Sequence, residues 1–160
     1  MTDFAQLLRV LAGSGTEFAL IGGVAAIVHG AARSTYDIDV VYSRSPENIV
    51  RLVSALAPLE PYLRGAPRGL PFTWDTATVS RGLNFTLTTT AGDLDLFGEV
   101  TLGGAYEDLL PDTELVEVFG IKCRCLSLDR LIAVKRAAGR PKDLDAIAEL
   151  EAIAEERRRS

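Results

Sequence analysis

Cysteine and histidine are scarce: the 160-residue chain has two cysteines, Cys123 and Cys125, and one histidine, His29. Protein zinc sites draw most of their ligands from these residue types, so no ordinary zinc site can be assembled. The two thiols stand at i,i+2 in Ile121-Lys122-Cys123-Arg124-Cys125, on one face of a strand, where neighbours rarely bridge, and both are expected reduced and packed. Long apolar runs are missing too. The longest uncharged stretch, Phe18 to Ala32, is short and is broken by glycines and His29. Met1-Thr2-Asp3-Phe4 lacks a basic lead and an apolar signal core, so a cytoplasmic protein without membrane attachment is expected. Positive charge is in deficit, with 17 Lys and Arg against 22 Asp and Glu and a net charge of −5, which argues against a general nucleic-acid coat protein. There is no Walker-type phosphate loop, dinucleotide glycine fingerprint or Gly-x-Ser-x-Gly elbow, which leaves kinase-like, Rossmann oxidoreductase and serine-hydrolase readings without residues.

What is present suits a compact α+β domain. With 48% hydrophobic and 24% charged residues, one domain over residues 1–160 is expected, with a core at 17–126 and C-terminal helices at 127–157. A chain of this length buries roughly 70% of its unfolded surface and needs no disulfide or structural metal. Phe4, Leu7, Leu8 and Leu11 recur at helical spacing behind a Thr2 or Asp3 cap. Glu17 to Ile21 reads as a buried strand, Gly22-Gly23 as a turn, and Val24 to Val28 as a covered helix. Tyr36 to Tyr42 reads as a second strand, followed by a helix that Ser45 caps and Pro46 opens. Four of the seven prolines fall between Pro58 and Pro71 with Gly65 and Gly69, which predicts an irregular, mobile connection able to face a substrate.

Strands are expected at Leu83 to Thr90 and Asp93 to Phe97, and a hairpin of Leu115 to Phe119 with Ile121 to Leu126 across Gly120. A helix capped by Ser127 and ended by Gly139 precedes a last helix opened by Pro141, with Leu144, Ile147, Leu150 and Ile153 inward. The charged end, Glu155 to Arg159, reads as solvated. His29, among alanines and valines, reads as a satisfied structural imidazole, and Phe72 and Trp74 as anchors of the preceding loop.

The chemistry gathers at Gly22-Gly23 and at Asp37-Ile38-Asp39-Val40 on the next strand. Strand alternation turns Asp37 and Asp39 to one side and Ile38 and Val40 to the core, so two carboxylates converge where a hard divalent cation could be shared. The glycines would let the backbone pass close to a ligand, with the following helix offering amides to a triphosphate. Asp93-Leu94-Asp95-Leu96-Phe97 repeats the pattern. Asp95, between two leucines, is favoured as the third carboxylate, from a neighbouring strand, that would complete ligation of two metals for in-line phosphoryl chemistry, and Asp93, nearer the turn, is held in reserve.

These residues resemble the DNA-polymerase-beta-like nucleotidyltransferase superfamily, whose signature is an apolar residue, Gly, then Gly or Ser, a spacer and Asp-apolar-Asp-apolar; Ile21-Gly22-Gly23 and Asp37-Ile38-Asp39-Val40 match it. Arg33-Ser34-Thr35-Tyr36-Asp37-Ile38-Asp39 and Lys135-Arg136-Ala137-Ala138-Gly139-Arg140-Pro141-Lys142-Asp143 look most similar to the AbiEii-like and minimal bacterial branch. The resemblance runs from about residue 20 to 150. It implies a nucleotidyltransferase fold, with a mixed, mostly antiparallel sheet, flanking helices and a C-terminal helical pair. It further implies Mg²⁺, with Mn²⁺ as a substitute, held by Asp37, Asp39 and Asp95, and transfer of a nucleoside monophosphate from an NTP to a hydroxyl of RNA such as tRNA, of a partner protein or of a small molecule. On the same ground Lys135 would face the triphosphate, Arg33 would contact phosphate, acceptor or Asp37, and Asp143 would orient Lys135 or the acceptor. The branch brings in a toxin–antitoxin or phage-defence setting, with toxin, antitoxin and housekeeping roles all left open. Position 23 departs from many members in being Gly rather than Ser, so backbone amides replace a hydroxyl there. The competing expectation is a module of the same fold that binds nucleotide or a partner without turnover.

Overall fold

The computed structural model describes all residues, Met1–Ser160. Helix α1 (Phe4–Gly13) leads into strand β1 (Phe18–Ile21), helix α2 (Gly22–Val28), strand β2 (Asp37–Tyr42) and helix α3 (Pro46–Leu56). The middle of the chain carries β3 (Tyr62–Leu63), α4 (Thr76–Arg81), β4 (Asn84–Thr89), β5 (Gly92–Phe97), the small strands β6 (Glu99–Val100) and β7 (Gly104–Ala105), and α5 (Tyr106–Leu109). Strands β8 (Thr113–Val118) and β9 (Ile121–Leu126) and helices α6 (Leu128–Ala138) and α7 (Leu144–Arg159) complete it. No helix is long and apolar enough to cross a membrane.

The helix boundaries follow from local chemistry. Asp3 accepts the Gln6 amide at 3.0 Å to cap α1, Ser45 caps α3 ahead of Pro46, and Ser127 accepts the Arg130 amide to cap α6. Gly139, at φ +64°, ends α6 in a left-handed turn. The β8–β9 hairpin turns at Phe119 and Gly120, both with positive φ, which matches the twist of the strands it joins.

Seven strands form one sheet in the order β3-β4-β5-β2-β1-β9-β8, with β2–β5 and β1–β9 parallel and the other four pairings antiparallel. This is the expected mixed, mostly antiparallel α+β arrangement with a C-terminal helical pair. The apolar alternates Ile38, Val40, Leu87, Leu94 and Leu96 are fully buried, in one core with Leu7, Leu8 and Leu11 of α1 and Leu52 and Leu56 of α3. Burying side chains of this size contributes about 1.5–3 kcal/mol each, which pins the register and holds the opposite alternates on the other face.

Several local expectations are corrected. The Pro58–Pro71 segment is not a free connection: it contains a 3₁₀ turn (Ala57–Leu59) and the edge strand β3, and Tyr62 ties the remainder down. The Tyr62 hydroxyl donates to Pro67 O at 2.6 Å and accepts the Leu70 amide, while Arg68 stacks on its ring. The last helix does not turn Leu144 inward. Pro141 opens a 3₁₀ turn, α7 starts only at Leu144, and its buried line is Ala146, Leu150 and Ala154, with Leu144 exposed. Arg157 in the charged end reaches back to His29 O at 3.1 Å. Helices α4 and α5 and the β6–β7 pair have no counterpart in the sequence reading, being too short to show a period.

Other local expectations hold. His29 Nε2 donates to Leu126 O at 2.7 Å, which leaves Nδ1 to accept from Arg157. Trp74 Nε1 donates to Val53 O and its ring packs edge-on against Phe85. Cys123 and Cys125 are free and buried, and burial pushes their thiols up to about 11 and about 12, away from thiolate chemistry.

Candidate functional site

The parallel pairing of β2 with β5 sets the two Asp-x-Asp segments in register, Asp37 opposite Asp93 and Asp39 opposite Asp95. Four carboxylates therefore stand as a two-by-two patch on the sheet face opposite Ile38, Val40, Leu94 and Leu96. Asp37, Asp39 and Asp95 each bring an oxygen within 4.8 Å of the other two, a spacing that one cation could span. Asp93 stands outside this trio.

Asp39 is the deepest of the acids. Burial, then the charges of Asp37 and Asp95, push its carboxyl up to about 7. Its Oδ1 is buried and has no hydrogen-bond partner. Asp95 is raised as well, chiefly by burial, with the guanidinium of Arg64 pulling the other way. A buried oxygen without a donor, amid like charges, is costly unless a cation completes it. Three carboxylates are hard oxygen donors of the kind Mg²⁺ and Mn²⁺ accept, so the residues present fit such an ion.

The glycine pair has a tighter role than close approach to a ligand. Gly22 has φ +67°, and a β-carbon there would overlap Asp39 Oδ2. One at Gly23 would stand 2.8 Å from Thr35 Oγ1. Both positions make room for residues of the β2 segment, because β1 pairs with β2 through Ile21 opposite Asp39 and α2 starts immediately at Gly22. Thr35 in turn donates within 3.3 Å of Asp37, to its backbone oxygen and Oδ1.

A cleft of about 260 Å³ opens beside Asp39 and Gly22. Ile21, Phe97, Val100, Leu131 and Val134 form its apolar wall, and Lys135 and Arg140 bring positive charge to it. Lys135 is half-buried on α6; burial lowers its pKa, as do the charges of Arg140 and Arg33, while Asp143 and Asp39 oppose them.

Other site expectations fare differently. Arg33 forms no hydrogen bond or ion pair with Asp37 and bonds Glu149 of α7 through Nε at 2.9 Å, next to the Ala32 amide, which bonds the same carboxylate. Asp143, 6% exposed, takes a 2.7 Å bond from Arg140 Nε rather than from Lys135. Arg64 is a further residue of the site with no clear signal in the sequence. It extends from the end of β3, its amide bonded to Thr86 O, and its guanidinium lies 2.7 Å from Asp95 Oδ1, 3.4 Å from Asp93 Oδ2 and 3.6 Å from Asp37 Oδ2. A two-residue strand leaves no period to read, and only an arginine in a proline-rich stretch hinted at it.

No known family profile and no curated protein matches the chain. Solved structures do. A provisionally named nucleotidyltransferase from Thermotoga maritima superposes with a TM-score of 0.58 at 15% identity, covering 92% of this chain and 93% of that one. An antigenic nucleotidyltransferase-like protein from Paracoccidioides brasiliensis gives 0.51 at 16% identity, over 92% of this chain and 71% of its own. At these identities the likeness is one of fold, and the fold is that of nucleotidyltransferase-like proteins.

Proposed function

We propose that the protein is a Mg²⁺-dependent nucleotidyltransferase, using Mn²⁺ as a substitute, that moves a nucleoside monophosphate from an NTP to an acceptor hydroxyl. The observation that carries this reading is the trio Asp37, Asp39 and Asp95, within 4.8 Å of one another beside a cleft that reaches Lys135. The fold shared with nucleotidyltransferase-like proteins supports it.

In this reading the three acids hold the divalent ion, which when bound neutralises phosphate charge and acidifies the acceptor hydroxyl. The protein's own groups do the rest. Asp39, unbonded at Oδ1, supplies the central ligand oxygen. Lys135 offers a compact ammonium to the triphosphate, where negative charge grows during transfer. Ile21, Phe97, Val100 and Leu131 line a seat from which water is displaced by the nucleotide. Gly22 keeps a β-carbon out of the ligand position beside Asp39, and Gly23 lets the Thr35 segment close behind it.

We propose as acceptor an RNA such as tRNA, a partner protein or a small molecule, and as setting a cytoplasmic toxin–antitoxin or phage-defence pair. The test offers labelled NTPs with Mg²⁺ to tRNA, candidate partner proteins and small hydroxylated molecules. Label should pass to one acceptor class and be lost in Asp39→Ala. Undiminished transfer by Asp39→Ala, or NTP that neither transfers nor raises thermal stability with Mg²⁺, would overturn the proposal. Stabilisation by Mg²⁺ and NTP without transfer to any acceptor would instead support a binding module.

A further inference from the structure

We infer that Arg64 is a built-in counter-cation of the acid patch and competes with the divalent ion for Asp37 and Asp95. It thereby sets how tightly the site takes a metal. The inference rests on the metal reading given under Proposed function and adds a residue to it.

The contacts of Arg64 are uneven. Nη2 makes two good bonds, to Asp95 Oδ1 at 2.7 Å and to Leu87 O at 2.6 Å. Nη1 stops 3.6 Å from Asp37 Oδ2, beyond hydrogen-bond length. Nε faces Asp93 Oδ2 at 3.4 Å without satisfying hydrogen-bond geometry, and it is a buried donor with no partner. A guanidinium that served only to brace the fold would be expected to satisfy its donors, often two at a time against one carboxylate. This one neutralises three acids while bonding well to one, and it leaves Asp39 Oδ1 with nothing.

The guanidinium also shares the ligand atoms. Asp37 and Asp95 belong both to the trio that could hold a metal and to the set that Arg64 faces, whereas Asp93 meets Arg64 alone. A cation seated among Asp37, Asp39 and Asp95 therefore meets a second positive charge within a few ångströms. Arginine does not shed its proton, so the conflict is relieved only by moving the side chain. Its backbone stays in the β3–β4 ladder through the Arg64 amide and Thr86 O, at 3.0 Å, so the swing falls on the flexible stem rather than on the strand. With a metal bound, Arg64 keeps Asp93 as its partner and gives up its hold on Asp37 and Asp95.

The test is Mn²⁺ binding to the whole chain, read from the free-ion electron paramagnetic resonance signal without nucleotide. Arg64→Gln should bind Mn²⁺ about tenfold more tightly than wild type or better, and Arg64→Lys should fall between, because an ammonium keeps the charge but not the fork. Arg68→Gln removes the same charge from the same loop, where Arg68 stacks on Tyr62, and should stay within about twofold of wild type. Unchanged or weaker binding by Arg64→Gln would overturn the inference, as would an equal gain in Arg68→Gln, which would make the effect one of net charge. Where Arg64→Gln does not fold, Arg64→Lys decides: no tightening over wild type overturns it. Wild type that binds Mn²⁺ no better than Asp39→Asn would sink the metal reading itself, a result distinct from the failure of Arg64 alone.

Discussion

Gly22 and Asp39 exclude any side chain between them: a β-carbon at position 22 would overlap Asp39 Oδ2 and lie 2.8 Å from Cγ. The glycine at the end of β1 and the acid on β2 are thus one structural unit, joined through the pairing of Ile21 with Asp39. Gly22→Ala has to push the carboxylate aside and hold a non-glycine residue at φ +67°. The conformational part alone costs about 1–3 kcal/mol. Chemical denaturation should show at least that loss, together with loss of Mn²⁺ binding. Full Mn²⁺ affinity in Gly22→Ala would contradict the placement of Asp39 as central ligand.

Asp39→Asn separates stability from function. The wild-type side chain carries a buried oxygen without a partner and sits beside Asp37 and Asp95. Removing its charge in a shape-conserving way should leave the metal-free protein as stable as wild type or raise its Tm by a few degrees, about 2–4 °C for each kcal/mol of relief. The same variant should lose the Mg²⁺-dependent rise in Tm. Scanning calorimetry with EDTA and with Mg²⁺ reads both; a lower Tm in EDTA would show that the carboxylate holds the fold together.

The proton and the metal compete for Asp39. Its carboxyl is raised from 3.8 to about 7 in the folded chain, so between those values the folded state binds more protons than the unfolded one. The contribution of this group to the stability of the metal-free protein is greatest at low pH and is lost as pH rises through about 7. Metal affinity runs the opposite way, because the ion needs the carboxylate. Mn²⁺ titrations from about pH 5 to about pH 8 should show affinity climbing and then levelling above about pH 7. A flat profile would mean that Asp39 is ionised throughout.

Arg33 and Glu149 form a tie between the loop before β2 and α7, not part of the acid patch. Both side chains are partly exposed, so Arg33→Ala should cost about 0.2–1 kcal/mol and leave Mn²⁺ binding unchanged. A double-mutant cycle with Glu149→Ala, read by denaturation, should show that the two losses are coupled. Loss of NTP affinity without coupling to Glu149 would return Arg33 to the phosphate.

Much of the arrangement around Asp37 and Asp39 was legible in advance. Strand alternation alone turned both acids to the face opposite Ile38 and Val40, and Ser45, Pro46, Ser127 and Gly139 marked helix ends from their own backbone and side-chain chemistry. The resemblance to nucleotidyltransferases rested on the same local pattern, and the fold agrees with it. The partners of Arg33 and Arg64 were not legible, since each bond spans segments whose approach depends on packing; Asp143 is held by Arg140, only three residues before it.

Which alternates of β2 and β5 are apolar and which are acidic is written in the chain locally, because a period of two is a property of neighbouring residues. The parallel pairing of β5 with β2 that sets Asp95 opposite Asp39, and the reach of an arginine from the edge of the sheet to the acids, came instead from the packing of segments distant in sequence. Register between strands distant in sequence is settled by the burial of Ile38, Val40, Leu94 and Leu96 together, and a guanidinium follows charge through space rather than along the chain.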